Sequence, residues 1–223
     1  MSKNNGIESN AREPVLSPVD RVSEMLFGLF MALTFIGAVS VAEQGREQIR
    51  TLFLTAIGCN LAWGLVDAVM YLVRTLAERG RLLTTVRSVQ AARDAQAGRK
   101  VIKQSLSQAA ARLLSATEVE AVRGRIVAMT SLPEQPVLKT QDLLAALAIF
   151  LIVVASTFPV VLPFVLISDV GTAKNASRAI SLAMLFFGGL ALGRYAGYGS
   201  WKVGLTMTGL GAGLVIAINA LGG

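Results

Sequence analysis

Five apolar runs, each about as long as a membrane span, are the strongest constraint on the fold of this chain. A helix needs roughly 20 apolar residues to cross the hydrocarbon core of a bilayer, and it satisfies its backbone hydrogen bonds internally. Only 16% of the residues are charged, against about 25% in soluble domains. The sequence therefore predicts an all-α, polytopic membrane protein with five transmembrane helices in a lipid bilayer. The runs are Ser23–Ala42, Thr51–Val73, Leu143–Ser168, Ser177–Arg194 and Trp201–Leu221.

Positive charge is concentrated between the second and third runs. Arg74–Gln141 holds twelve basic and five acidic side chains and so accounts for the whole net charge of +7. Basic segments next to spans stay in the cytoplasm, so five spans place the N-terminus in the cytoplasm and the C-terminus outside, and we expect the bacterial inner membrane. Residues 1–20 are polar and predict a disordered tail, without the apolar core of a signal peptide. The predicted domains are the cytoplasmic tail at 1–20, spans one and two at 21–73, a basic helical cytoplasmic insert at 74–141, and spans three to five at 142–223.

The insert is predicted to fold into a small subdomain of two or three amphipathic helices. Apolar residues recur at helical spacing along it. Ser115 or Thr117 can cap one of these helices, and Thr117-x-x-Glu120 fits a capping box. The candidate helix breaks are Gly80, Gly98 and Gly124, and Pro133 with Pro136 predicts a stiff link into span three.

The basic side chains of the insert are candidates for contact with anionic lipid or a partner protein. Juxtamembrane Lys and Arg residues attract anionic headgroups by about 1 kcal/mol each. Arg99, Lys100 and Lys103 form the densest such group. The insert has no Phe, Tyr or Trp, the residues on which nucleic-acid bases stack. Nucleic acid is therefore not an expected partner.

Asp67 is the most informative residue for function. It lies in the second run, which has no other charge, and a charge at such a site costs roughly 2.5–3.5 kcal/mol. Asn60 precedes it by seven residues and Arg74 follows it by seven, so the three fall near one helical face. Glu24 opens the first run, and a short loop makes the first two spans neighbours. The pattern predicts an ion or proton site at Asp67, with Glu24 and Asn60 beside it.

Methionines and arginines leave alternatives open around Asp67. Met70 is one turn beyond Asp67, and a pocket of carboxylate and thioether would suit a moderately soft cation such as Fe(II). For each methionine taken singly, contact with lipid or with packing neighbours is the favoured interpretation. Asp67 can also be structural, paired with Arg194 at the end of span four or hydrogen-bonded to Asn60 or Tyr71. Transporters use ion pairs as gates, so Arg194 and Arg74 are candidate gating residues.

No enzyme signature is present. The chain has no histidine, which removes His-based triads and most transition-metal enzymes. It also has no GxxxxGK[ST] phosphate loop. The glycine-rich stretch Gly197–Trp201 predicts a tight turn between spans four and five. We expect a protein that is not an enzyme and holds no cofactor.

Prolines and glycines shape the last three spans. Pro159 and Pro163 each remove a helical hydrogen bond and predict kinks in span three. Glycines four residues apart allow helices to approach closely, and they are weak support for a dimer. These glycines are Gly189, Gly193, Gly197, Gly209 and Gly213.

The order of these features resembles the vacuolar iron transporter family. The shared features are five spans, a helical insert after span two, Pro159-x-x-x-Pro163-Phe164 in span three, a Gly-rich final span ending in Gly222-Gly223, and Glu24-Met25-Leu26-Phe27-Gly28 opening span one. The resemblance implies a divergent bacterial-type member that exports Fe(II) or Mn(II) from the cytosol, coupled to protons, as a homodimer. That family carries an Asp after the Phe-Gly pair, where this chain has Leu29–Met31, so Asp67 would act with a rearranged ligand set.

Two functions follow as hypotheses. The leading one is proton-coupled transport of a divalent cation, Fe(II) or Mn(II), with Asp67 as central acid and Asn60, Glu24 and Met70 as further metal ligands. The alternative is a non-transporting membrane scaffold that binds partners or anionic lipid through Arg99, Lys100 and Lys103.

Overall fold

The computed structural model describes residues 16–39, 46–197 and 199–220. Within these ranges the chain is all-helical, with no strand. The helices are α1 (Pro18–Val39), α2 (Arg46–Gln90), α3 (Ala95–Ser105), α4 (Gln108–Leu113), α5 (Ala116–Val127), α6 (Thr140–Leu166), α7 (Val170–Ala196) and α8 (Ser200–Ala220). The all-α class is confirmed.

Among the described residues, four helical stretches are long and apolar enough to cross a membrane. They are Ile57–Gln90 within α2, Thr140–Leu166, Val170–Tyr195 and Ser200–Ala220. Helix α1 contains residues 23–39 of the first predicted span, whose last three residues lie outside the described ranges, and it is not among the four. The count of five spans stays a prediction. Four such helices are compatible with a multi-pass membrane protein in a lipid bilayer.

The chain divides into two compact units. One comprises Met1–Val69 with Leu143–Gly223, and the other is Met70–Asp142. The second unit lies within a few residues of the insert predicted at 74–141. We describe each unit by itself, as the apolar unit and the basic unit.

Helix α1 forms the centre of the apolar unit. Its side chains at Leu26, Leu29 and Leu33 are at most 4% exposed, and they pack in one cluster with Val160 of α6 and Leu185 of α7. These α1 positions recur every three to four residues, which puts them on one helical face. That face is buried in protein.

Glycines bring α7 and α8 into close contact. A Cβ added at Gly189 would lie 2.8 Å from the Cα of Gly204, and one at Gly193 would lie 2.6 Å from the Cα of Ser200. Gly197 ends α7 with φ of +73°, a left-handed conformation that glycine adopts without steric cost. The turn predicted at Gly197–Trp201 includes Tyr198, which lies outside the described residues. The close approach of Gly189 and Gly193 to α8 is made within one chain. The homodimer stays a prediction.

Other glycines and prolines do not interrupt their helices. Gly80 lies inside α2, Gly98 inside α3 and Gly124 inside α5, so the predicted helix breaks are wrong. Glycine costs a helix about 1 kcal/mol relative to alanine, which continued hydrogen bonding and packing outweigh. Helix α6 likewise continues through Pro159 and Pro163 to Leu166.

The basic unit contains three short helices after α2, in agreement with the two or three that were predicted. Ser115 caps α5 and forms a reciprocal capping box with Glu118. The box predicted at Thr117 and Glu120 is therefore wrong, because Glu120 pairs with arginines instead. Val89, Ile102 and Val119 form the small core that joins α2, α3 and α5.

Residues 128–139, between α5 and α6, are non-helical and are tied to one face of α2. Arg87 donates to the carbonyl oxygens of Pro133 and Glu134 at 3.0 and 2.8 Å. Gln90 donates to the carbonyls of Ile126 and Met129 at 2.9 and 3.0 Å. Three side-chain donors of α2 (Arg79, Arg87 and Gln90) therefore hold the proline-containing link.

Arg79 makes the strongest of these attachments. Its guanidinium donates to both oxygens of Asp142 at 2.6 and 2.8 Å and to the carbonyl of Val137 at 2.7 Å. The backbone N–H of Lys139 also donates to Asp142, at 2.6 Å. Asp142 is buried at the first turn of α6, and its carboxylate joins the start of that helix to α2.

Candidate functional site

Helix α6 contacts both α1 and α2 at Val153. These contacts show how far along the helix axes Glu24 and Asp67 lie relative to each other. A Cβ at Gly28 of α1 would lie 2.9 Å from the carbonyl oxygen of Val153, and one at Gly64 of α2 would lie 3.5 Å from its Cγ1. Next to these glycines, the rings of Phe27 and Trp63 stack edge to face with centroids 6.5 Å apart. Gly28 and Gly64 therefore lie at one level.

Further contacts give the direction of α2. Asn60 shares a small cavity with Thr157 and Val161, whereas Gly64, one turn later in α2, contacts Phe150, an earlier residue of α6. Residue numbers thus rise along α2 as they fall along α6. Helix α2 is antiparallel to α6.

Helix α1 runs in the opposite sense to α2. Gly28 contacts Val153, while Ile36, further along α1, belongs to the same buried cluster as Phe164, further along α6. Helix α1 is therefore parallel to α6 and antiparallel to α2. Glu24 precedes Gly28 by one turn and Asp67 follows Gly64 by about one turn, a displacement of roughly 5 Å in the same direction. The two acids thus lie at the same level on neighbouring helices, and both side chains are half-buried.

Asn60 lies two turns from Asp67 on α2 and is 3% exposed. It lines a cavity of about 10 Å³, measured as the space open to the centre of a water molecule. Its amide Nδ2 has no hydrogen-bond partner among the described residues. A cavity of this size is at the lower limit for one water molecule, which would satisfy that amide. Thr157, also buried, supplies a hydroxyl to the same cavity.

The structure does not enclose every predicted ligand. Met70 is 48% exposed, as are its helix neighbours Val66 at 50% and Val69 at 48%. This exposure matches the lipid-contact alternative for Met70. Among the described residues, no group of three or more His, Cys, Asp or Glu side chains is placed to hold a metal ion. An ion at Glu24 and Asp67 would therefore need backbone, amide or water oxygens to complete its shell.

The candidate gating arginines are both exposed. Arg194 is in the last turn of α7, and within the described ranges no ion pair joins it to Asp67. Arg74 is on α2, seven residues beyond Asp67. Arg79, five residues beyond Arg74 on α2, pairs with Asp142. Sequence analysis missed that pair because residues 63 positions apart give no periodic signal.

A second candidate site is on α3 in the basic unit. Arg99, Lys100 and Lys103 come together in one pocket of about 420 Å³ that Gln96, Gln104 and Ala116 complete. Arg99 donates to Glu120 of α5 at 2.9 Å, and Arg123 donates to the same carboxylate at 2.5 Å. Arg123 and Arg99 lower the pKa of Glu120 to about 2. The structure thus gathers the three residues predicted for lipid or partner contact.

Acid is expected to weaken the attachment of Arg99 only at low pH. The folded pKa of Glu120, about 2, is below its ordinary value of 4.5. The stability that Glu120 contributes is therefore fully present above pH 4.5 and is lost as pH falls toward 2. We expect the unfolding curves of the wild type and Glu120→Gln, measured by circular dichroism, to differ at neutral pH and to converge in this range. A constant difference down to pH 2 would contradict the assignment.

No family model matches the chain, and no curated protein matches it.

Proposed function

We propose that the chain is a membrane transporter that moves a divalent cation along the contact of α1, α2 and α6. The observation that carries this proposal is the common level of Glu24 and Asp67 on neighbouring helices, next to the contact with α6. Carboxylates within a membrane segment are costly and mark ion or proton pathways. A cation or proton bound between two carboxylates at one level would be shared by both of them.

The available side chains favour a cation that prefers oxygen ligands. The two carboxylates offer oxygen atoms. The thioether of Met70 is exposed, and the amide of Asn60 lies two turns, roughly 10 Å, from Asp67 along α2, so neither side chain is needed as a ligand. Oxygen ligands suit Mn(II) well, whereas soft metals prefer sulfur. Mn(II) is therefore the first substrate to test, and Fe(II) the second. Protons that replace the departing metal on Glu24 and Asp67 would couple its export to proton entry.

The test is flux in proteoliposomes loaded with a metal-sensitive dye. We expect Asp67→Asn and Glu24→Gln each to reduce Mn(II) flux by about tenfold or more, because losing a charged ligand costs at least about 1.4 kcal/mol. Met70→Leu is the matched control on the same helix and should keep wild-type flux. Dissipating an imposed pH gradient should slow Mn(II) movement in the wild type.

Equal flux in the wild type and in both acid variants would remove Glu24 and Asp67 from the pathway. Absence of Mn(II) and Fe(II) flux in the wild type would favour the second candidate function. That candidate is a membrane scaffold acting through the basic unit, and the gathering of Arg99, Lys100 and Lys103 in one pocket supports it.

A further inference from the structure

We infer that the pocket on α3 is a binding site for a phosphate-bearing anion. It is lined by Gln96, Arg99, Lys100, Lys103, Gln104 and Ala116, and its volume is about 420 Å³. This falls in the range of small-molecule sites, roughly 300–1,000 Å³. The five polar side chains form two adjacent rows, 96/100/104 and 99/103, each with a spacing of four residues, and so project from one face of α3. The inference is independent of cation transport by the apolar unit.

Arg99 is held in position by one hydrogen bond, and most of its guanidinium N–H groups remain available to a ligand. One terminal nitrogen of its guanidinium, Nη1, donates to Glu120 at 2.9 Å. Arg123 also binds Glu120, through Nε and Nη2, so a second cation offsets the charge of that carboxylate. The group of Arg99, Arg123 and Glu120 keeps a net charge of +1. A fixed guanidinium with free N–H groups loses little side-chain entropy when it binds phosphate.

Lys100 and Lys103 supply the remaining charge. Both are exposed, and neither takes part in an ion pair within the described part of the chain. With the group around Arg99, they bring the local charge to +3. An excess of this size complements a multiply charged anion better than a single carboxylate.

The two glutamines and the absence of aromatics narrow the ligand class. Gln96 and Gln104 lie on either side of the three basic residues along α3. Their amide N–H groups can donate hydrogen bonds to phosphate oxygens. No aromatic side chain lines the pocket, so a nucleotide base would have no ring to stack on. The pocket therefore recognises the phosphate itself, whether it belongs to a lipid headgroup or to a soluble polyphosphate.

Titration of the full-length protein with inorganic pyrophosphate in neutral phosphatidylcholine nanodiscs tests the soluble source. Native mass spectrometry of phosphatidylglycerol bound to the detergent-solubilised protein tests the lipid source. In whichever arm binds, Lys100→Gln with Lys103→Gln should weaken binding by about tenfold or more, since each contact to a charged group is worth about one order of magnitude. Arg112→Gln with Arg125→Gln removes the same charge from exposed positions outside the pocket and should change binding less than about twofold.

The two arms give separate results. Pyrophosphate binding lost in the lysine pair alone supports a soluble ligand, and phosphatidylglycerol binding lost in that pair alone supports a lipid headgroup. Equal losses in the two double variants would show a diffuse basic surface and overturn the pocket. Wild-type protein that binds neither probe would also overturn it. The substituted side chains are exposed, and circular dichroism of each variant would test whether it remains folded.

Discussion

Arg79→Gln is expected to lower the free energy of unfolding of the basic unit by about 2–3 kcal/mol. Removing one partner of a buried pair costs about 3–5 kcal/mol, because a charge is left uncompensated. The expected cost is smaller than this range because the side chain of Arg79 is 33% exposed, although that of Asp142 is only 9% exposed. The variant also loses the hydrogen bond from Arg79 to the carbonyl of Val137. Denaturant unfolding in a mild detergent, followed by circular dichroism, measures the change.

The double variant Arg79→Gln with Asp142→Asn separates the buried charge from simple loss of contacts. Asparagine keeps an oxygen for the N–H of Lys139 and carries no charge, so the double variant should be more stable than Arg79→Gln. Trypsin should cut after Lys139 faster in the single variant, because the link to α6 is no longer held at Val137. Arg81→Gln is the control, because Arg81 is an exposed arginine of α2 only two residues from Arg79. A single variant as stable as Arg81→Gln would contradict the role of the pair.

Several apolar runs predicted the positions of long helices, because a run of about 20 apolar residues fits a helix whose side chains are mostly apolar. The run at Leu143–Ser168 corresponds to α6 at Thr140–Leu166, and the run at Trp201–Leu221 corresponds to α8 at Ser200–Ala220. Local chemistry was less decisive where two residues fit the same motif. Ser115-x-x-Glu118 and Thr117-x-x-Glu120 both read as capping boxes. The tertiary pairing of Glu120 with Arg99 and Arg123 selects the first.

Long-range contacts lay beyond sequence reasoning. Gly80 looked like a helix break, yet α2 continues to Gln90, and a Cβ at Gly80 would approach Pro136 of the link at 3.7 Å. The attachments of Arg79, Arg87 and Gln90 to that link stabilise the continuous helix against the propensity cost of glycine. Nothing in the local sequence of α2 identifies these acceptors, because they lie tens of residues away.

The candidate sites were predictable to different degrees. Arg99, Lys100 and Lys103 share a helical face by spacing alone, so their common pocket follows from local structure. Glu24 and Asp67 were expected near each other because a short loop joins their helices. Their common level became definite only through contacts of Gly28 and Gly64 with Val153. Met70 is three residues from Asp67, a spacing that does not decide between a ligand and a lipid contact, and its exposure of 48% matches the lipid-contact alternative.

Gly193→Ala is expected to destabilise the apolar unit by about 1–3 kcal/mol, the usual cost of adding a methyl group to a filled contact. The added Cβ would lie 2.6 Å from the Cα of Ser200, a backbone atom that cannot move without shifting α8. Gly213→Ala is the matched control, since a Cβ there meets nothing within 4 Å. In an open helical position alanine is favoured over glycine by up to about 1 kcal/mol, so the control should be neutral or stabilising. Opposite signs in thermal unfolding would therefore show that the α7–α8 contact, and not glycine content, sets stability. Destabilisation by Gly213→Ala in equal measure would instead indicate that the open face of α8 is occupied in the membrane.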